Sequence, residues 1–263
     1  SRITGVDAAL IKPKIHNVEH HRSHLASAFF ASPYDEAALL SIDGSSDFTS
    51  TMIAVGKGNK IEVIDSVDFP VSVGTFYTAF TQYLGFPHYG DEYKVMGLAP
   101  YGEPKYVDKI RDVIKFTEDG LFTWNQKYFK SAKDVVVTYG DDHIPFVGSL
   151  FAPYFEEQFG KARGKGDELT QYHKDIAASV QRFTEELIFH IVNHLQKRTG
   201  LKNLCIAGGV AQNSVANGKI LANSGFENLY IPSAGHDAGI SMGSAFYVYN
   251  QVLSQPRAKA VYS

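Results

Sequence analysis

His20 and His24 stand four residues apart in VEHHRSHLASAFF (18–30), at the start of an amphipathic run. In a helix that spacing sets two imidazoles about 40° apart around the axis, close enough to hold one metal ion. Imidazole nitrogens joined by carboxylates, with a position left open, suit Fe2+, Mn2+ or Zn2+. Three acid- or glycine-marked turns supply the other candidates. Asp43 opens Asp43-Gly44-Ser45-Ser46-Asp47, whose amides can cradle a phosphate while the carboxylate ligates a cation; a plain turn with an aspartate cap is the simpler alternative. Gly208 and Gly209 precede Val210-Ala211-Gln212-Asn213, where a ligand can approach the backbone at a helix start, or Asn213 can serve only as a cap. Asp237, in His236-Asp237-Ala238-Gly239, is either an N-cap or a further metal ligand. Lys94 lies in a glycine-flanked loop and either neutralises a phosphate or is a solvated charge. No residue is assigned as general acid or base.

These groups need elements to hold them. KIHNVEH reads as a strand that hands over to the histidine helix, with His21 facing elsewhere. EAALLSID (36–43) is a strand, and the alternating TSTMIAVGKGNKIEVIDSVDF is a hairpin turning at Gly56-Lys57-Gly58-Asn59. Residues 73–86 change to helical spacing, with Phe76, Phe80, Tyr83 and Leu84 on one side, and stop at Gly85 and Pro87. Residues 90–104 read as a structured loop. Residues 105–168 read as an insertion, with a helix in YVDKIRDVIKF and a hairpin-like LFTWNQKYF. From Gln171 to Arg198, Ile176, Val180, Phe183, Leu187, Ile191 and Leu195 recur at helical steps, and Gly200 ends the run. KNLCIAGG is then a buried strand, NSVANGKILANSG a helix, ENLYIP a strand and HDAGISMGSAFYVYNQVL a closing helix, before the polar tail SQPRAKAVYS. A meander followed by helix, strand, helix, strand, helix is the order of one lobe of an actin-like ATPase fold.

The 263 residues allow one large domain or two small ones, and the 44% apolar and 20% charged content is that of an ordinary globular protein. A net charge of -3 argues against nucleic acid as a partner. The single cysteine, Cys205, excludes an internal disulfide framework and suits a cytoplasmic location. No apolar run reaches the length of a membrane span, so no membrane partner is expected, and no leader is recognised.

VEHHRSHLASAFFASPYDEAALLSIDG, DEYKVMGLAPYG, CIAGGVAQNSVANGK and HDAGISMGSA follow one another over most of the chain. Together they resemble the signatures of the O-carbamoyltransferases of the nodulation protein U and antibiotic-tailoring type. Relatives of that family are the hydrogenase-maturation and tRNA threonylcarbamoyl transferases. The resemblance implies an α/β, actin-like ATPase (ribonuclease-H-like) lobe, a mixed sheet with helices on both faces. Residues 1–34 would end a first lobe, 35–252 would form the second with its insertion at about 105–168, and 253–263 would be a linker-like tail. It implies a divalent metal on His20, His24, Asp43 and Asp237, Fe2+ in the first place, with Zn2+ or Mn2+ as alternatives. It implies ATP, accompanied by Mg2+, and carbamoyl phosphate as sources of a carbamoyl-adenylate made in a separate YrdC-like domain. Gly44, Ser45, Lys94, Gly208, Gly209 and Asn213 would hold that adenylate while its carbamoyl group passes to the hydroxyl of a small-molecule or sugar acceptor. Where the family has D-G-x-G-E, this chain has DGSSD, with Ser46 in the glycine place. Family members open with a strand and an H-D-S/T loop and continue into the YrdC-like domain, so the chain is expected to be a truncated piece, inactive alone. Two other readings are an actin-like ATP-binding phosphotransferase and a non-catalytic nucleotide-binding module. The imidazole pair speaks against the first, because such kinases bridge Mg2+ to phosphate through oxygen ligands.

Overall fold

The computed structural model describes residues 5, 7–139, 145–164 and 166–257. In chain order its elements begin with α1 (Ala8–Ile11), α2 (His20–Ala31), β1 (Glu36–Ser46), β2 (Thr49–Lys57), β3 (Lys60–Asp68), α3 (Val73–Tyr83) and α4 (Glu92–Leu98). Then come α5 (Val107–Ile110), β4 (Ile114–Phe116), β5 (Phe122–Trp124), β6 (Val137–Tyr139), β7 (Pro145–Val147) and α6 (Pro153–Phe159). The last are α7 (Gln171–Thr199), β8 (Asn203–Ala207), α8 (Ser214–Asn217), β9 (Asn228–Tyr230) and α9 (Ile240–Phe246), which runs on into a π turn over Tyr247–Val252.

The main sheet has the order β3-β2-β1-β8-β9. Its first three strands are an antiparallel meander, and β8 and β9 add in parallel through helical crossovers. That order and sense agree with the ribonuclease-H-like lobe expected from the sequence. Strand β1 is central and both of its faces are covered, which is why EAALLSI reads as a continuous apolar run. Its alternate residues divide cleanly between two cores. Ala38, Leu40 and Ile42 pack with Phe76 and Phe80 of α3 and with Ile176, Val180, Phe183 and Leu187 of α7. Ala37 and Leu39 pack on the opposite side with Leu25, Ala26 and Phe29 of α2. Each such Leu or Phe, fully removed from water, contributes about 1.5–3 kcal/mol.

Helix α7 runs as its periodicity predicts and stops where Gly200 adopts the left-handed conformation (φ 67°). The hairpin turns at Gly58 (φ 58°), and α3 ends at Gly85 (φ 80°). Elsewhere the structure corrects the sequence. The residues preceding α2 are not a strand: Lys12–Lys14 form a 3-10 turn, and the extended residues up to Glu19 join no ladder among the described residues. The expected loop at 90–104 contains α4 and a 3-10 turn over Ala99–Tyr101, with Pro100 placed in the first turn, where its missing N–H costs nothing. Only one helical turn, α5, survives of YVDKIRDVIKF; its end is strand β4, which pairs with β5 rather than LFTWNQKYF folding on itself. NSVANGKILANSG gives α8 and a separate 3-10 turn instead of one helix. In the expected tail, Arg257 donates to main-chain oxygens of Phe29, Phe30, Ser32 and Tyr34 and so caps the end of α2; residues 258–263 lie outside the described ones. Among the described residues no helix is long and apolar enough to cross a membrane.

Candidate metal centre and cleft

Glu19 starts α2. Its carboxylate accepts from the main-chain N–H of His21 (3.0 Å) and Arg22 (2.8 Å), a cap worth about 1 kcal/mol. With the helix begun there, His20 and His24 fall on one face and their Nε2 atoms stand 3.0 Å apart. Asp43, at the bulged end of β1, brings Oδ2 to 3.2 Å from His20 Nε2 and 2.9 Å from His24 Nε2. Asp237, in the 3-10 turn leading into α9, brings Oδ1 to 3.3 and 3.4 Å from the same nitrogens. One donor atom from each of the four residues lies within 4.8 Å of all the others.

This set fits a single divalent ion. Metal–ligand bonds of about 2.0–2.2 Å place neighbouring donors roughly 2.9–3.5 Å apart, and the five distances above fall in that range. His24 is fully buried with Nε2 facing the cluster, and its Nδ1 has no hydrogen-bond partner among the described residues. Asp237 is the exposed member, its side chain 57% accessible, so the cluster opens on that side. The acid and the imidazoles of the cluster are electrostatically coupled. Burial acts to raise the Asp43 carboxyl, but hydrogen bonds from His20 and His24, the His24 charge and the Gly44 amide outweigh it and hold the group far below the usual carboxylate range. Burial acts to lower His20, yet the Asp43 hydrogen bond and charge, with Asp237 and Asp47, raise it.

His21, apart from the cluster as expected, braces it. Its Nε2 donates to the Thr49 carbonyl at 3.0 Å, which leaves Nδ1 of the neutral ring to accept from the Ser41 hydroxyl at 2.8 Å. Burial, above all, lowers this imidazole and keeps it neutral.

The second oxygen of Asp43 reaches the glycine loop. Oδ1 accepts from the amides of Gly44 (2.7 Å) and Gly209 (3.0 Å), so one carboxylate joins the histidines to the turn after β8. Gly208 (φ 105°) makes that turn possible, because a Cβ there would lie 2.2 Å from the Ile42 carbonyl oxygen. Beside Asp43 opens a cleft of about 360 Å3, lined by Gly44, Gly209 and Asn213 and by Tyr77, Tyr89 and Met96. Ser72 caps α3 by accepting from Thr75 N–H, and its hydroxyl donates to the Asp43 and Gly44 carbonyls, which fixes the start of α3 against the cleft.

Of the residues singled out in the sequence, the four metal candidates converge, and Gly44, Gly209 and Asn213 line the cleft. Gly208 is packed behind it. Lys94 lies off its lining, ion-paired with Asp91 at 2.6 Å and set over the Phe86 ring. The backbone of Ser45 belongs to β1; its side chain lies outside what is described. Sequence reasoning missed Tyr77, Tyr89 and Met96. The first looks like one more aromatic of an apolar helix face, Tyr89 falls between that helix and the stretch read as a loop, and Met96 sits in that stretch.

Gly209→Ala tests the link between loop and cluster. A Cβ at this position would stand 2.8 Å from Asp43 Oδ1, displacing the carboxylate from its amide. The expected result is a loss of metal affinity of about 10-fold, the scale of outer-shell changes, read by competition with a chelator.

A family model described as Carbamoyltransferase N-terminus matches residues 5–246. Protein sll1178 of Synechocystis sp. is 44% identical over 241 residues, 91% of this chain and 37% of that protein. Nodulation protein NolNO of Sinorhizobium fredii is 34% identical over 248 residues, 94% of this chain and 33% of the relative. The chain thus spans about a third of the length of these curated relatives. Among solved structures, full-length HypF in its phosphate- and nucleotide-bound form aligns over 99% of this chain and 47% of its own, at 14% identity and a TM-score of 0.44.

Proposed function

This chain belongs to the carbamoyltransferase family, matching its N-terminal model, and on that premise we propose that it is the carbamoyl-transfer module of an O-carbamoyltransferase. In this reading the donor is carbamoyl-adenylate, made from carbamoyl phosphate and ATP in a YrdC-like domain of the same longer protein. The acceptor is the hydroxyl of a small molecule or sugar. One observation carries the reading: the cluster of His20, His24, Asp43 and Asp237 is joined through a single carboxylate to a glycine loop that lines a cleft.

His20, His24, Asp43 and Asp237 would hold a divalent cation, Fe2+ in the first place and Zn2+ or Mn2+ as alternatives. Such an ion supplies Lewis-acid polarisation of the carbamoyl carbonyl. The protein's own groups do the rest. Gly44 and Gly209 let the adenylate approach the backbone closely, Asn213 fixes it from the side, and the capped start of α3 presents main-chain N–H groups toward its charge. Gly208 shapes the loop, and Ser45 and Lys94 act at its margin. The acceptor oxygen attacks the carbamoyl carbon, the bond from that carbon to the phosphate oxygen breaks, AMP leaves, and the hydroxyl proton departs to solvent or base. The open side of the cluster, at Asp237, is where the acceptor enters. Dependence on ATP and carbamoyl phosphate, with one unpaired cysteine, favours a cytoplasmic reaction. Two imidazoles among the donors disfavour a phosphotransferase, whose Mg2+ needs oxygen ligands.

The test is a carbamoylation assay on the full-length protein with labelled carbamoyl phosphate, ATP and a panel of hydroxylated acceptors. Label moving to an acceptor only when ATP is present is the expected result. Absence of any ATP-dependent consumption of carbamoyl phosphate would overturn the assignment.

A further inference from the structure

Gln181, on α7, is 4% exposed and lies where two residues that line the cleft meet. Its Oε1 accepts from the Tyr77 hydroxyl (3.0 Å) and from Asn213 Nδ2 (2.9 Å). Its Nε2 donates to Asn213 Oδ1 (3.0 Å) and to Glu185 Oε1 (3.1 Å). Both donors and both acceptor positions of the amide are therefore used.

The direction of every bond in this group follows from its two ends. The main-chain N–H of Ala216 can only donate, and it points to Asn213 at 3.0 Å, so that atom is the amide oxygen. At the other end the Glu185 carboxylate, 2% exposed and held by Lys219 Nζ at 2.8 Å from both oxygens, can only accept. Gln181 must then turn its nitrogen toward Glu185 and its oxygen toward Tyr77, and Tyr77 must donate inward. Burial, followed by the charges of Glu92 and Glu185, pushes the Tyr77 phenol up, so its proton stays in place. Asn213 has its oxygen saturated by Ala216 and Gln181 and one of its two N–H bonds spent on Gln181. Among the described residues its other N–H has no partner, on a residue that lines the cleft beside Gly209.

We propose that Gln181 is a positioning residue that locks Asn213 with a single N–H donor available to the cleft, so that the nucleotide atom seated there is a hydrogen-bond acceptor. This rests on the reading of the cleft as the nucleotide site. Glu185 and Lys219 set the polarity from behind, and Tyr77 ties α3 to the same amide. A ligand presenting an N–H at that point meets a donor and leaves a buried polar group unpaired.

The test is calorimetric ATP binding to the full-length protein carrying Q181M, N213A or both, with thermal melts as the check on folding. Each single variant is expected to weaken ATP about 10-fold, and the double variant by the same 10-fold, since Gln181 acts through Asn213. A general loss of structure would instead add the two effects, giving roughly 100-fold. Unchanged ATP affinity in Q181M, or additive losses, overturns the positioning role while leaving the cleft reading intact. A wild-type protein that does not bind ATP at all removes the nucleotide reading and this proposal with it. If Q181M does not fold, Q181N retains the amide but withdraws it from Asn213, and the same cycle is read with that variant.

Discussion

Alanine at His24 is expected to strip the protein of its metal and with it of carbamoyl transfer. His24 is fully buried, and its Nε2 lies within 3.4 Å of one donor atom from each of His20, Asp43 and Asp237. Changes to groups that only brace metal ligands lower affinity by about 10–100-fold, so removing an inner donor should exceed 100-fold. Elemental analysis should fall from one equivalent in the wild-type protein to background in His24→Ala, with turnover falling in parallel. Asp237→Ala should lose less, because its side chain is the exposed member of the set and solvent can replace its oxygen. Equal metal content in the wild-type and His24→Ala proteins would remove the cluster from the mechanism.

Substitution at Gly243 is expected to damage the same centre from a distance. Helices α2 and α9 cross so closely that a Cβ on Gly243 would stand 1.9 Å from the Ser23 carbonyl oxygen and 3.1 Å from Ser27 Cβ. Nothing flexible can yield there, because the nearest atom is backbone. In Gly243→Ala, α9 must therefore back away from α2, carrying with it the turn that holds Asp237. The Asp237 oxygen loses its position near the imidazoles, and the Ser23–Ser244 hydroxyl contact of 2.9 Å opens. Overpacking of this kind costs about 3 kcal/mol. A chelator titration should show metal affinity down by roughly 10-fold, as for other supporting changes. Gly97→Ala is the control: no atom lies within 4 Å of a Cβ there, and alanine inside helix α4 should raise stability by about 0.5–1 kcal/mol without touching the metal. Metal affinity unaltered in Gly243→Ala would mean that the crossing does not position Asp237.

Legibility in the sequence followed periodicity and proximity. Helix α7 and the β2–β3 hairpin were readable because each buries a regular stripe or turns at a glycine in the left-handed region. The histidine pair was readable because both members ride one helix. Asp43 and Asp237 were readable only as alternatives to a turn cap and an N-cap, and the resemblance joined them to the histidines, since no local pattern says that a strand end and a distant helix start will meet. The DEYK stretch misled because Gly90, Gly97 and Pro100 look like loop formers. In fact Gly97 sits in a helix with open space beside it, and Pro100 occupies a first turn that tolerates it. Lys94 stands off the cleft lining, ion-paired with Asp91 one turn earlier. Residues 14–19 alternate like a strand but join no ladder among the described residues, so they stay outside the sheet. Gln181 was hidden completely, as a polar residue on a helix read for its apolar face, with its main partner 32 positions away.

The most direct measurement is X-ray absorption at the edge of the metal in the full-length protein. Two imidazole nitrogens and two carboxylate oxygens at about 2.0–2.2 Å are expected around the ion, with the metal edge itself falling to background when His20 and His24 are both replaced by alanine. An all-oxygen shell, or the same spectrum from the double variant, would contradict the account.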